Sequence, residues 1–203
     1  AENRARFAAA LGGTPVWLEQ VHGVRVVRLD RSHAAPGAAP PVADASVCTE
    51  PGLACTVQVA DCLPVLFAAP QARGVAAAHA GWRGLAGGVL EATLAGLCDA
   101  AGCAPQQVQV WLGACIGPGR FEVGADVLGA FPGADPARFS AFRPGKWLAD
   151  LPGLARDRLR AAGVTAISGG GWCTVEDPSR FFSFRRDPVT GRMAAAVWID
   201  DLR

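Results

Sequence analysis

The sequence predicts an α/β or α+β fold: a single domain of layered, mixed β-sheets flanked by helices. Three observations carry this expectation. Apolar runs of strand length are interleaved with helical stretches in an irregular order, not as a strict βαβ series. The chain has 203 residues, 51% hydrophobic and 18% charged, which is enough apolar material for a substantial core. No internal repeat and no linker-like change in composition divides it.

The elements follow in chain order. Residues 2–11 read as a short helix, stopped by Gly12-Gly13. Residues 24–29 alternate apolar and basic, as a half-exposed strand does. Residues 33–43 carry three prolines and a glycine among alanines and read as a loop. Residues 54–59 and 63–68 are two strand-like runs separated by Ala60-Asp61-Cys62. A buried strand is expected over 74–79, then the turn 80–84, then a helix over about 85–100 with Leu90, Leu94 and Leu97 on one stripe. Residues 108–112 read as a strand leading into Gly113-Ala114-Cys115-Ile116-Gly117-Pro118. A helix is expected near 124–131, a loop over 132–146, a helix over 151–162 and a strand over 164–167. Gly169-Gly170-Gly171 is too flexible for an element interior. Residues 181–185 and 194–199 read as paired strands around the turn 187–191.

Composition excludes several functions. The net charge is +1, with 19 basic and 18 acidic residues, so no nucleic-acid backbone or anionic membrane is expected as a partner. No apolar run reaches the ~18 residues of a membrane helix. The opening residues lack a signal peptide's apolar core, and a cytoplasmic location is expected. Lys146 is the only lysine, a signature of a GC-rich genome and not of function. The seven cysteines, at 48, 55, 62, 98, 103, 115 and 173, contain no C-x-x-C. They read as reduced thiols, several of them buried hydrophobes, with no disulfide framework.

Histidine is scarce: only His22, His33 and His79 are present. Chemistry that needs imidazole must choose among them. His22 lies in Gln20-Val21-His22-Gly23, just before a strand; His79 lies where a strand meets a turn; Cys62 lies between two strands, beside Asp61. Strand ends of this kind are where α/β folds keep their sites. Two imidazoles and a thiolate form a borderline-soft set suited to zinc, and three protein ligands leave a fourth position open, the catalytic pattern. Their separations, 40 and 17 residues, match no local zinc motif, so the fold must bring them together. A lone cysteine in an apolar run is more often core, and a lone histidine is more often structural. Asp61 argues for a polar cleft or a charge partner at Cys62, and His33, in the Pro/Ala loop, is expected to be exposed and unimportant.

Gly81 and Gly84 flank Trp82-Arg83 at a helix start, an arrangement suited to anions. Arg83 is a candidate for phosphate or carboxylate binding, against the alternative of a surface salt bridge. Arg185-Arg186 are further anion candidates, and residues 113–118 form either a ligand-approaching loop or a plain tight turn.

Taken together, Gln-Val-His-Gly at 20–23, Ala-Asp-Cys-Leu-Pro-Val-Leu at 60–66, His-Ala-Gly-Trp-Arg-Gly at 79–84, Gly-Ala-Cys-Ile-Gly-Pro at 113–118, and Phe-Phe-Ser-Phe-Arg-Arg-Asp with Thr-Gly-Arg at 181–192 resemble the YfiH family, also called the multicopper polyphenol oxidase or laccase-domain family. The resemblance runs in order through nearly the whole chain. It implies a single domain over 1–203 of layered sheets covered by helices, and a zinc site at His22, Cys62 and His79. It also implies phosphorolysis of adenosine, inosine, guanosine and methylthioadenosine, with adenosine deamination; an older family name implies copper-dependent phenol oxidation. The family pattern starts earlier, with a Thr-x-Arg-x-Gly-Gly segment, so the domain is expected to lack that N-terminal segment.

The residues leave alternatives open. A true multicopper oxidase uses about ten histidines, and this chain has three. One His₂Cys copper site, with Met193 as axial ligand, is arithmetically possible, and copper can replace zinc because its intrinsic affinity is higher. A metal-free hydrolase with Cys62 as nucleophile and His79 as base uses the same residues. So does a non-catalytic zinc-binding domain, although structural zinc usually takes four protein ligands. Zinc deaminases use His-x-Glu, and His79-Ala80-Gly81 has no Glu there, which leaves Asp61 or Glu176 as candidate proton shuttles.

Overall fold

The computed structural model describes residues 2–200. The elements, in chain order, are α1 (Glu2–Leu11), β1 (Thr14–Val16), β2 (Val26–Arg28), β3 (Ala45–Cys48), β4 (Leu53–Val59), β5 (Leu63–Ala68), β6 (Val75–Ala80), α2 (Trp82–Gly87), α3 (Val89–Ala101), β7 (Gln109–Leu112), β8 (Glu122–Val123), α4 (Ala125–Gly129), β9 (Phe139–Arg143), β10 (Lys146–Ala149), α5 (Leu151–Ala161), β11 (Ala166–Gly169) and β12 (Met193–Trp198). They form one domain of layered α/β type, as the sequence predicts.

A six-stranded sheet in the order β11-β7-β5-β6-β3-β2 is the central layer. Its outer pairs, β11/β7 and β2/β3, are parallel, and its inner pairs are antiparallel. One face meets α2, α3 and α5 through Leu63, Val65, Phe67, Leu90, Leu94 and Leu97. The other face meets a three-stranded sheet, β1-β4-β12, through Val16, Leu53, Cys55, Val57, Val75 and Ala77. In β6, Ala76, Ala78 and Ala80 face the helices, while Val75 and Ala77 face the small sheet. Burial on both faces explains why these strands read as unbroken apolar runs instead of alternating ones. A third sheet, β8-β10-β9, flanks the helical side.

Several expectations are corrected. The helix expected over 85–100 is two helices, because Gly88 takes the left-handed conformation (φ +98°), ends α2 and starts α3. The loop expected over 132–146 contains β9, which pairs with β10 around Pro144-Gly145, so its proline and glycine mark the turn of a hairpin. Residues 181–185 form no strand. The Arg186 guanidinium gathers the carbonyls of Thr174, Val175 and Phe181 and coils the segment instead. β12 pairs with β4, from Met193↔Val59 to Trp198↔Ala54. The sequence reading missed β1 and β3: β1 is only three residues long, and β3 is buried throughout, so neither displays a period. Among the described residues, no helix is long and apolar enough to cross a membrane. All seven cysteines are free thiols, and Cys48, Cys55 and Cys115 are buried.

Candidate functional site

Strand register assembles the site. β5 runs antiparallel to β6 with Leu63 opposite Ala80 and Pro64 opposite His79, so Cys62, just before β5, lies beside the end of β6. β3 pairs with β6 with Ala45 opposite Ala78, which sets Asp44 beside His79; the His79 N–H donates to the Asp44 carbonyl at 2.7 Å. β2 lies parallel to β3 with Val26 opposite Ala45, so the 20–23 loop ahead of β2 reaches the same end of the sheet. The starts of β2, β3 and β5 and the end of β6 therefore coincide.

At that point one donor atom each from His22, Cys62 and His79 lies within 4.8 Å of the others. Cys62 Sγ is 3.7 Å from His22 Nε2. A nitrogen and a sulfur bound tetrahedrally to one zinc would lie about 3.6 Å apart, so the spacing and chemistry of the donors fit such an ion. His79 is buried, and its Nδ1 is 2.8 Å from Asp44 Oδ1. An ionised carboxylate only accepts, so Nδ1 keeps its proton and Nε2 is the nitrogen that can bind a metal, once its own proton is displaced.

Asp44 is fully buried. Besides His79, its carboxylate accepts the backbone N–H groups of Val21 at 3.1 Å, His22 at 2.9 Å and Gly23 at 2.6 Å. These bonds hold His22 in the left-handed region at φ +60°, which costs a residue with a side chain about 1–2 kcal/mol. Burial pushes the Asp44 carboxyl up, but His79 and the amides of Gly23 and Val21 outweigh it and bring it below 3.8. Burial pulls the His79 imidazole down, yet Asp44 and Cys62 raise it to about 9. Burial pushes the Cys62 thiol up, and the two histidines overturn this, bringing it down to about 7.

The glycines of residues 79–84 serve close approach. A Cβ on Gly81 would lie 2.8 Å from His22 Cδ2 and 3.0 Å from Cys62 Sγ, and one on Gly84 would lie 2.8 Å from the Gly23 carbonyl oxygen. They let α2 pack against the His22 loop and the thiol. The six-residue α2 is too short to serve as the anion-binding helix expected from the sequence.

The trio forms part of the wall of a cavity of about 640 Å³. Leu18, Val59, Ile116, Phe121, Leu151 and Phe184 supply its apolar surface, and Arg83, Arg185 and Arg192 its positive charge. Arg83 stacks on Trp82, with its guanidinium carbon 4.4 Å from the ring centroid. Among the described residues, none of the three arginines forms a salt bridge with a carboxylate. Arg192 lies in the Thr-Gly-Arg segment that carries part of the family resemblance, but the sequence reading gave it no site role. Arg186 is turned away from the cavity to its backbone carbonyls and Asp187.

The two candidate proton shuttles fare poorly. Asp61 lies at the cavity, but its Oδ1 accepts from the Thr174 hydroxyl at 2.6 Å and its Oδ2 from the Arg185 N–H at 2.6 Å. Both oxygens are spent on fixing the 174 and 185 segments. Glu176 pairs with Arg120 at 3.0 Å and does not line the cavity. Residues 113–118 act mainly through backbone: Ile116 N–H donates to the Asp61 carbonyl at 2.9 Å, and the Cys115 carbonyl accepts from the Thr174 N–H at 2.9 Å in a backbone β-bridge that leaves both thiols free. Met193 does not line the cavity. His33 is part-buried and pairs with Asp30 at 3.0 Å in a local cap, away from the site. Asp44, missed from sequence, carried one signal, a lone carboxylate ahead of an apolar run.

Residues 1–200 match the family described as multi-copper polyphenol oxidoreductase laccase. The chain is 50% identical over 204 residues to a protein of Pseudomonas aeruginosa named a purine nucleoside phosphorylase, covering 98% of this chain and 80% of that one. It is 48% identical over 202 residues to the Escherichia coli purine nucleoside phosphorylase YfiH, with the same coverage. Among solved structures, a Neisseria meningitidis protein superposes with a TM-score of 0.89 at 44% identity, over 98% of this chain and 80% of that one. YlmD from Geobacillus stearothermophilus gives 0.89 at 33% identity, over 98% and 79%. Sequence, fold and the ordered motifs agree that the chain belongs to the YfiH, or multi-copper polyphenol oxidoreductase laccase, family.

Proposed function

We propose that the protein is a zinc-dependent purine nucleoside phosphorylase acting on adenosine, inosine, guanosine and methylthioadenosine, with adenosine deaminase activity. The observation that carries this reading is the juxtaposition, in one cavity, of a convergent His22, Cys62 and His79 trio with an apolar wall and three arginines that form no salt bridge among the described residues. The names of the relatives supply the substrate class. His22, Cys62 and His79 would hold the metal, which when bound supplies a Lewis acid at neutral pH.

The chain's own residues divide the remaining work. The apolar wall, with Phe121 and Phe184, suits the purine, whose ring faces are apolar. Arg83 is assigned to phosphate, with Arg185 and Arg192 beside it; a guanidinium fork binds two phosphate oxygens at once. Held against C1′ of the sugar, a phosphate oxygen forms the new C–O bond while the C1′–N9 bond breaks, and the base, leaving with the electron pair, takes up the proton that hydrogen phosphate gives up. Products are the free purine and the sugar 1-phosphate. In deamination, water adds at C6, one of its protons passes to the amino nitrogen, and the C6–N bond breaks to release ammonia. The arginines have no role there, and neither Asp61 nor Glu176 is free to move a proton.

The test is bound metal measured in protein purified without added metal, then adenosine supplied with and without phosphate while adenine and inosine are followed. Adenine that appears only with phosphate, with about one zinc per chain, is expected. Metal-loaded protein that forms neither product refutes the reading.

One observation favours a second reading. Cys62, His79 and Asp44 stand in the order nucleophile, base and orienting carboxylate, which is the arrangement of a thiol hydrolase. Protein isolated without metal, but carrying a reactive Cys62, would support it. Copper-dependent phenol oxidation finds less support, since the described residues offer one three-ligand group and not a multicopper set.

A further inference from the structure

We propose that Asp44 is the positioning residue of the metal site: a single buried carboxylate that sets both histidines before any metal arrives. The inference rests on the reading of the trio as a metal site. His22 and His79 come from different elements, 57 residues apart. Their rings meet edge to face, with centroids 4.7 Å apart, and both lie beside Cys62, but among the described residues the one carboxylate that bonds to both is Asp44, whose Oδ1 accepts from each. Oδ1 accepts from His79 Nδ1 and from the His22 N–H; Oδ2 accepts from the N–H groups of Val21 and Gly23. All four donors face one fully buried side chain, whose burial is tolerable only because every bond is made.

The two halves of this arrangement do different things. The bond to His79 fixes the tautomer, so that Nε2 and not Nδ1 is presented toward Cys62. The three amide bonds compensate the left-handed conformation of His22 and determine where its ring can lie. Without the carboxylate, the loop has no reason to keep a positive φ at a residue with a side chain. One ligand would then have to be ordered by the metal itself, which lowers affinity.

The experiment compares the full chain with Asp44→Asn. The amide is nearly isosteric but offers one acceptor oxygen in place of two. Whichever way it is turned, its NH2 meets two donors. Zinc affinity is measured by competition with a chromophoric chelator, and cobalt substitution reports the ligand set through its visible spectrum. Unfolding in denaturant is followed alongside, with the metal removed. Asp44→Asn is expected to weaken zinc by about 10–100-fold, with an altered cobalt spectrum. A merely structural carboxylate would lower the unfolding midpoint and leave zinc affinity of the folded chain alone. Folded Asp44→Asn that binds zinc within twofold of the parent overturns the proposal. A parent chain that binds no zinc overturns the metal reading itself, and this inference with it.

A second measurement needs no variant and settles the case in which Asp44→Asn does not fold. In the metal-free parent, the amides of Val21, His22 and Gly23 are expected to exchange hydrogen at least ~10-fold more slowly than an unstructured chain, although this loop is solvent-facing. Exchange of all three at the unstructured rate shows that the carboxylate does not preset the loop, and overturns the proposal.

Discussion

Gly81→Ala is the most discriminating single change, because it adds one methyl group directly between two of the proposed ligands. The added Cβ would sit 2.8 Å from His22 Cδ2 and 3.0 Å from Cys62 Sγ, while ordinary contact begins at 3.4 Å. The His22 ring must therefore retreat by about 0.6 Å. Metal–ligand bonds tolerate about 0.2 Å, so the displacement exceeds what one ion can absorb. The backbone gives no further cost: Gly81 has φ −69° and ψ 163°, values open to alanine. Overpacking costs about 1–3 kcal/mol, and stiffening the unfolded chain returns about 0.4–1 kcal/mol. The fold should survive with a small loss while zinc affinity falls at least ~10-fold, or about 1.4 kcal/mol. Thermal unfolding with and without saturating zinc separates the two effects. The metal-free midpoint should move little, and the zinc-induced rise should shrink. A Gly81→Ala chain with the parent's zinc-induced rise would show that His22 and Cys62 are not co-ligands, and the reasoning fails.

Cys62→Ala, His22→Ala and His79→Ala should each remove metal and nucleoside turnover together; retained turnover by any of these metal-free variants would exclude the metal from the chemistry. Arg83→Ala should raise the KM for phosphate about 10–100-fold, spare zinc content and leave adenosine deamination unchanged, and an unaltered phosphate KM would take Arg83 out of the anion site. In metal-free protein near neutral pH, iodoacetamide should reach Cys62 first, because its thiol lies at about 7 while burial raises Cys48, Cys55 and Cys115; zinc should block the reaction, and peptide mapping that finds another cysteine modified first contradicts this. Asp44 is held below 3.8, burial opposing and His79 and the backbone amides prevailing, so its stabilisation is present above 3.8 and is lost as pH falls through its lowered folded value. Acid unfolding of metal-free Asp44→Asn should thus be flatter below pH 3.8 than that of the parent, and equal slopes would count against the carboxylate's role.

Local chemistry determined much by itself. Scarcity reduced the choice of imidazoles to three, and the reactive residues stood out where apolar runs break, at His22, Cys62 and His79. α1, β4, β5, β6, β7 and α5 were legible because a stop signal, a helical period or an apolar run of strand length lies within each segment. β3 was not, since burial on both faces erases alternation, and the hairpin of β9 and β10 was hidden by the proline and glycine that turn it. The roles of Asp44, Arg192 and Arg186 depended on partners distant in the chain. Asp44 acquires its meaning only when β3 registers against β6 and beside β2. Arg186 reads like Arg185 in sequence, yet one guanidinium ties down the backbone of 174, 175 and 181, and the other lines the cavity. Asp61 read as a sign of a polar cleft or a partner and as a candidate proton shuttle, and its partners, Thr174 and Arg185, are remote in the chain. Residue type and local pattern thus determined which groups could do chemistry. The sheet's register decided which of them meet, because hydrogen-bonded pairing between strands remote in sequence sets distances that no spacing along the chain encodes.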